Sequence, residues 1–326
     1  MPSAAERDLD ILVVGEINPD ILVADPDPVP VFGEVERVVR SVRMTVGSSS
    51  AIFACGAARL DLRVAFCGIV GDDPFGWFML QAMAARGIDV SACSVDRDRP
   101  TGATIILTSG SDRAMLTALG TIGALDPEAI PGALLERARH VHVGAFYLQQ
   151  AGGGRFAALF REAREQGLTT SFDPNWDPSG HWDGAVDEML RTADVFLPNA
   201  AEARRISGID DLDRAVVALA ERGAVGRSDG GPIVAVKLGA AGALACRASA
   251  PIVRVPAMPI EPVDTTGAGD SFNAGFLRAW LDGRDLEACL TLGAVCGALS
   301  TRQLGGVDGQ PTRTEARDAL ARWAGP

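Results

Sequence analysis

The sequence predicts an α/β fold: a mostly parallel central sheet with helices on both faces, plus a small β-sheet lid. Three observations carry this expectation. From about residue 127 onward, short apolar runs alternate with longer runs of helical period, the pattern of repeated βα units with parallel strands. The run from Leu9 to Gly15 is apolar throughout after Asp10, as a strand covered on both faces is. Residues 21–46 are instead rich in valine and proline with interspersed charges, and Val90–Val95 and Ala103–Thr108 read as further strands joined by a polar turn. These predict the lid, with its strands within about residues 16–46 and 90–118 of a single domain spanning residues 1–326.

Taken in order, Leu9–Gly15 ends where a parallel sheet presents its functional edge. Glu16-Ile17-Asn18-Pro19-Asp20 follows, and Asn18 and Asp20 are either the polar groups of an Asn-Pro turn or partners for a polyhydroxylated ligand. Gly47-Ser48-Ser49-Ser50 precedes a helix expected from about Ser50 to Leu60, and its serines either cap that helix or line a sugar pocket. A strand from Arg63 to Val70 leads into a helix with Asp73 as cap and Pro74 at its first position. Beyond a helix ending at Ala138 come strands at His140–Gly144, Thr169–Asp173, Val195–Leu197 and Ile233–Val236, with helices between them. The carboxyl end reads as helices over Asp270–Leu281 and Leu286–Thr301, a glycine-rich turn at Leu304-Gly305-Gly306, and a last helix over Thr314–Trp323. His140 and His142 share one face of their strand without a third ligand nearby, so network histidines are expected rather than a metal pair.

Composition narrows the partners. With 47% hydrophobic and 22% charged residues the chain is globular, and a net charge of −12 argues against a nucleic-acid surface or an anionic membrane as partner. Lys237 is the only lysine, so surface lysine clusters are excluded. The six cysteines form no C-x-x-C pair and read as core residues. No apolar stretch is long enough to span a membrane, and the acidic flank of the first apolar run does not suit a signal peptide, so a cytoplasmic location is expected.

The stretch on which the rest converges is Asp264-Thr265-Thr266-Gly267-Ala268-Gly269-Asp270-Ser271-Phe272-Asn273-Ala274-Gly275-Phe276. A loop with little side-chain bulk opening a helix brings several N–H groups to one anion, and the helix N-terminus adds partial positive charge. Asp270 beside such a cradle would repel the anion unless it has chemistry to do, and general base is the economical role. The bland alternative is a glycine turn with Asp270 capping the helix. Polar groups at upstream strand ends favour a site: Asp173-Pro174-Asn175, then Asn199 and Glu202, then Lys237 with Gly239 and Gly242. A P-loop would need a lysine after its last glycine, and a dinucleotide fingerprint would need a third glycine where Phe272 stands; neither fits.

Residues 264–276 resemble the carboxyl-terminal signature of the ribokinase-like, PfkB-type carbohydrate kinases, and the resemblance spans Gly15 to about Arg317. Gly15–Asp20 is similar to that family's first substrate loop, which implies that Asn18 and Asp20 bind sugar hydroxyls. Gly47–Leu60 is similar to its amino-terminal signature, placing Gly47, Ser48 and Ser49 at the substrate. Asn199-Ala-Ala-Glu202 resembles its N-x-x-E motif, in which the acid supports magnesium through water. Lys237-Leu238-Gly239-Ala-Ala-Gly242 resembles its nucleotide-facing strand and loop. The resemblance implies Asp270 as general base, an aspartate of ordinary pKa near 3.9 being ionised at neutral pH, and the Gly267, Ala268 and Gly269 amides as the anion hole. It implies ATP and Mg2+ as cofactors, and a monovalent cation, K+, held near Asp264, Thr266 and Gly305. Two positions depart from the pattern: the paired glycine reads Gly47-Ser48, and Ile52 replaces the usual substrate-binding asparagine, so ribose recognition in its usual form is not expected. Ala294 replaces an asparagine near the adenine. The expected activity is ATP-dependent phosphorylation of a primary hydroxyl of a small sugar, and a homodimer joined through the lid is the expected assembly. The alternatives are a nucleoside or sugar-acid kinase of the same family, or a non-catalytic sugar or nucleotide sensor.

Overall fold

The computed structural model describes residues 7–25, 28–109, 112–149, 151–182 and 185–323; residues 26–27 and 110–111 of the expected lid ranges lie outside it. In chain order the elements are β1 (Leu9–Val14), β2 (Pro19–Ala24), β3 (Ser41–Val46), α1 (Ser49–Arg59), β4 (Val64–Cys67), β5 (Ile69–Gly71), α2 (Pro74–Ala84), β6 (Ser94–Asp96), β7 (Ala103–Ser109) and β8 (Asp112–Ala118). There follow α3 (Gly132–Arg137), β9 (Ala138–Val143), α4 (Arg155–Glu165), β10 (Thr169–Phe172), α5 (Ala185–Thr192), β11 (Val195–Phe196), α6 (Ala200–Ser207), α7 (Leu212–Ala224) and β12 (Ile233–Lys237). The chain continues through β13 (Ala243–Cys246), β14 (Val253–Val255), α8 (Ala268–Leu281), α9 (Leu286–Ser300) and α10 (Arg313–Trp323).

The apolar β1 run is buried along its whole length because the sheet is covered twice. Ile11 and Val13 join a core with α1, α8 and α9, while Leu12 and Val14 join a second core with α4, α5 and α7. The eight-stranded sheet runs β14-β13-β12-β11-β10-β9-β1-β4, parallel from β4 through to β12. The short links either side of β13, without an α-helix, let β13 and β14 turn back antiparallel, a hairpin edge that the sequence reading did not include. All six cysteines are free thiols, and five of them are fully buried, as expected of core residues.

A separate four-stranded sheet has the order β3-β2-β7-β8. Val90–Val95 does not belong to it. Asp89 N and O bond to the edge of the main sheet at Val64 and Phe66, Cys93 N closes a turn onto Val90 O, and Ser94 N bonds to Gly68 O. Those bonds leave only Ser94–Asp96 extended, paired with β5. On the small sheet, register places Asp20, Thr45, Leu22 and Ile106 on one face, and all four are buried. The other face carries Met44, Ile21, Ile105 and Leu116 in one row and Val42 and Val23 in the next.

Candidate functional site

The glycine loop opens α8 as an uncapped helix N-terminus. Gly267 is the N-cap in the left-handed region at φ 70°, and no side chain caps the first turn. A Cβ there would lie 2.8 Å from both Ile52 Cγ2 and Gly306 Cα, so conformation and space alike demand glycine. Asp270 sits inside the first turn rather than at the cap, which removes the reading of Asp270 as a helix cap. Ala268 N donates to Thr265 O at 3.3 Å, and the helix dipole stands behind this first turn, the setting in which helix starts attract anions.

Three contacts hold this loop. Ile52, buried in α1, packs beneath Gly267 and Gly306. The Asp264 carboxylate accepts from Thr266 N at 2.9 Å, Thr266 Oγ1 at 2.8 Å and Gly305 N at 2.8 Å, tying the loop to the glycine-rich turn. Gly275 lets α9 approach so closely that a Cβ would stand 2.7 Å from Leu292 O. The three residues expected around a monovalent cation are thus brought together by one carboxylate.

Beneath the loop lies an acidic cluster with a single cation. Lys237 Nζ donates to Asp173 Oδ2 at 2.5 Å, to Leu197 O at 2.7 Å and to Asn273 Oδ1 at 3.3 Å. Asn273 Nδ2 completes the triangle at 2.7 Å from Asp173 Oδ2. Gly269 lies over the lysine stem, a Cβ there standing 3.5 Å from Lys237 Cδ. Asn199 and Glu202 form a reciprocal capping box at the start of α6, with Asn199 N donating to Glu202 Oε2 at 2.7 Å and Glu202 N to Asn199 Oδ1 at 2.9 Å. Asn199 also bridges in register to Lys237. Gly239 and Gly242 shape the turn leaving β12, where Leu238 N donates to Gly242 O at 2.9 Å.

Protonation follows this crowding. Burial and the Asp173 charge raise Asp270 well above the ordinary carboxylate range; Lys237 opposes them, and Glu16 and Glu202 add to the rise. Its ionisation is therefore not that of an ordinary aspartate, the value assumed from sequence. Burial and Asp173 likewise push Glu202 up to about 7. Burial alone would lower Lys237, but Asp173 and Glu202 outweigh it and hold the ammonium charged.

Glu16, in the segment joining β1 to β2, is near enough to Asp270 to act on it. Asn18 in that segment and Asp20 in β2 are buried, and Gly47 lies so near Asp20 that a Cβ would meet its Oδ1 at 2.2 Å. Ser48 caps α1, accepting from Ala51 N at 3.0 Å, and donates to Glu16 O at 2.6 Å. Asn175 Nδ2 reaches Ser49 Oγ at 3.4 Å from the end of β10. Of the predicted residues, Lys237 and Glu202 lie near enough to Asp270 to act on its ionisation, and Gly239 and Gly242 lie on the turn after β12. The residues not singled out from sequence are Glu16, Gln149 and Asn273. Asn273 carried the one available signal, lying a helical turn beyond Asp270 in α8.

The histidines form a network under the sheet. His140 Nε2 and His142 Nδ1 share Ser171 Oγ at 2.7 and 2.8 Å, His140 Nδ1 contacts Thr169 Oγ1 at 2.8 Å, and the His142 ring lies 4.0 Å from that of Phe53. Burial holds His140 down to about 3, so it stays neutral. Among the described residues no group of three or more acidic, histidine or cysteine side chains could hold a metal by itself.

A profile of pfkB family carbohydrate kinases matches residues 8–313. The chain belongs to this family. The kinase is 32% identical over 298 residues to the ATP-dependent ribose-1-phosphate kinase of Halopiger xanaduensis, covering 90% of this chain and 93% of the relative. It is 31% identical to a fructokinase of Klebsiella pneumoniae, covering 84% of this chain and 91% of that one. Its fold superposes with a TM-score of 0.83 on an Escherichia coli protein described as a ribokinase II and solved with ATP and Mg2+, at 24% identity over 96% of this chain and 99% of that one. It is a carbohydrate kinase of ribokinase-like fold, within a family whose named members phosphorylate sugars and nucleosides. Among the described residues, no helix is long and apolar enough to cross a membrane.

Proposed function

We propose that this kinase transfers the γ-phosphoryl group of ATP to a primary hydroxyl of a small sugar, with Asp270 as general base and the Gly267, Ala268 and Gly269 amides as the anion hole. The observation that supports this most is the acid set in the first turn of an uncapped helix N-terminus. A carboxylate there takes the hydroxyl proton as the acceptor oxygen attacks phosphorus, while the amides receive the charge of the transferred group. ADP departs, and the proton remains on Asp270 until solvent removes it.

Asn18, Asp20, Gly47, Ser48 and Ser49 line the acceptor side in this reading; Asn199, Lys237, Gly239 and Gly242 flank the nucleotide. The donor set suits Mg2+ carried in by the phosphates, because Glu202 and Asp173 leave acidic oxygens in excess over one lysine. Glu202 would hold it through water, and the ion would supply neutralisation of the phosphate charge. A K+ ion would take main-chain oxygens near Asp264, Thr266 and Gly305, whose loops the Asp264 carboxylate already aligns.

A neutral acceptor suits the site's charge, since Glu16, Asp173 and Glu202 all act on Asp270. A phosphorylated pentose is the second reading, favoured by the 32% identity to a ribose-1-phosphate kinase. It would draw on Arg43, which lies on the sheet face turned to the site and pairs with Asp308. Incubation with ATP, Mg2+ and a panel of free sugars, sugar phosphates, sugar acids and nucleosides is expected to give ADP release with a neutral sugar. Release with none of them would sink the reading, and release with pentose phosphates alone would favour the second.

The small sheet serves in this proposal as a lid shared with a second copy. Asp20, Leu22, Thr45 and Ile106 are buried on its site-side face, whereas Met44, Ile105 and Leu116, with Val42 in the next row, expose an apolar patch on the other face that an identical face can cover about a two-fold axis. Sedimentation is expected to show a dimer that Leu116→Glu converts to monomer; a monomeric parent protein would refute the shared lid.

A further inference from the structure

We propose that Glu16 is a positioning residue for the acceptor: through Ser48 and Ser50 it fixes the 47–50 loop against the ends of β1 and β9. The inference rests on the acceptor side proposed above and deepens it. Glu16 is buried, and its carboxylate gathers donors from three residues. Oε1 accepts from Ser48 Oγ at 3.0 Å and Ser50 N at 3.2 Å; Oε2 accepts from Ser50 Oγ and from Gln149 Nε2 at 3.2 Å. Ser50 is wedged between two strand ends kept bare for it, since a Cβ at Gly15 or Gly144 would fall 2.0 or 2.2 Å from its hydroxyl.

Ser48 shows that this tether is selected over backbone comfort. It stands where the resembled signature carries a glycine, yet it holds a left-handed φ of 66°. A β-carbon in that region is strained, and strain persists where surrounding bonds over-determine it. The Ser48 hydroxyl supplies those bonds, sharing its one proton between Glu16 O at 2.6 Å and Glu16 Oε1 at 3.0 Å and accepting from Ala51 N. Capping of α1 uses only the last of the three. The two bonds to Glu16 reach back across the chain to the end of β1, and they fix residues whose neighbours face the acceptor: Gly47 lies on Asp20, and Ser49 meets Asn175. A tether loosened there displaces the acceptor hydroxyl from Asp270, where small misplacements are felt strongly.

The full-length kinase with Ser48→Gly and with Glu16→Gln tests this by steady-state titration of the acceptor and of ATP. Each variant is expected to raise the acceptor KM about tenfold while the ATP KM stays within about twofold. Ser48→Gly is expected to keep or raise the thermal midpoint, because the strained β-carbon is gone. A merely structural role predicts the opposite pairing, a shifted midpoint with unchanged acceptor KM, and that result overturns the proposal. Amide exchange gives a readout independent of turnover: Ser50 and Ala51 amides are expected to exchange at least about tenfold faster in Glu16→Gln. Unchanged exchange there refutes the tether. A parent enzyme inactive on every acceptor would instead count against the proposed reaction, and the exchange result would then decide the tether alone.

Discussion

Replacing Asp270 by Asn is expected to lower kcat about 10²- to 10⁴-fold, the range that a positioned general base contributes, with ATP binding retained. Asn preserves the side chain's size at the first turn of α8 but cannot accept the proton. Because Asn removes a charge that faces the phosphates, nucleotide affinity should hold or improve, so the kcat loss is separable from a binding loss. The pH profile gives a second check with a definite sign. Burial, Asp173, Glu16 and Glu202 all raise Asp270 against the opposing Lys237, so the base becomes available only above the ordinary aspartate range. The acid limb of kcat/KM for the acceptor, which reports the free enzyme, is expected to lie well above 3.9 and to vanish in Asp270→Asn. Turnover unchanged by the substitution would remove Asp270 from the chemistry.

How much of this was legible in the sequence depended on whether the cause was local. The β1 run announced a doubly covered strand because each of its side chains must be apolar to sit between two helical layers. Asp73 before Pro74 announced the start of α2, and its carboxylate does accept from Gly76 N at 2.9 Å. For Asn199 and Glu202 the bland reading is realised: they form a capping box, and that box buries an acid beside Asp173. What stayed hidden joins residues far apart in the chain. Glu16 meets Ser50 and Gln149 across 34 and 133 positions, and no local pattern marks a glutamate after a strand as the anchor of a distant loop. Val90–Val95 misled for a related reason: its β-prone composition is real, but bonds to the main-sheet edge spend it on a turn. Ile52, read as a lost sugar ligand, turned out to be packing under Gly267, a role that only the folded loop reveals.

The second large effect is expected at Lys237. Substitution by Met keeps the stem that lies under Gly269 but removes the one cation among Asp173, Glu202 and Asp270. Breaking a buried pair by deleting one partner leaves an uncompensated charge, costing about 3–5 kcal/mol. For a chain of this size that corresponds to a fall in thermal midpoint on the order of 5–10 °C. Asp173 would retain only Asn273 Nδ2 at 2.7 Å and Asn175 N at 2.9 Å. Adding Asp173→Asn to Lys237→Met is therefore expected to restore part of the loss, since it deletes the orphaned charge, and a double-mutant cycle measures that coupling. A midpoint unmoved by Lys237→Met, or strictly additive effects, would mean that the pair carries no such weight. The same substitution acts on the chemistry, because Lys237 is the group that opposes the rise at Asp270. Without it the acid limb of the acceptor kcat/KM profile should move to still higher pH, and Asp173→Asn should move it back. The lone lysine of the chain thus ties the stability of the sheet's carboxyl edge to the proton affinity of the acid beside the glycine loop.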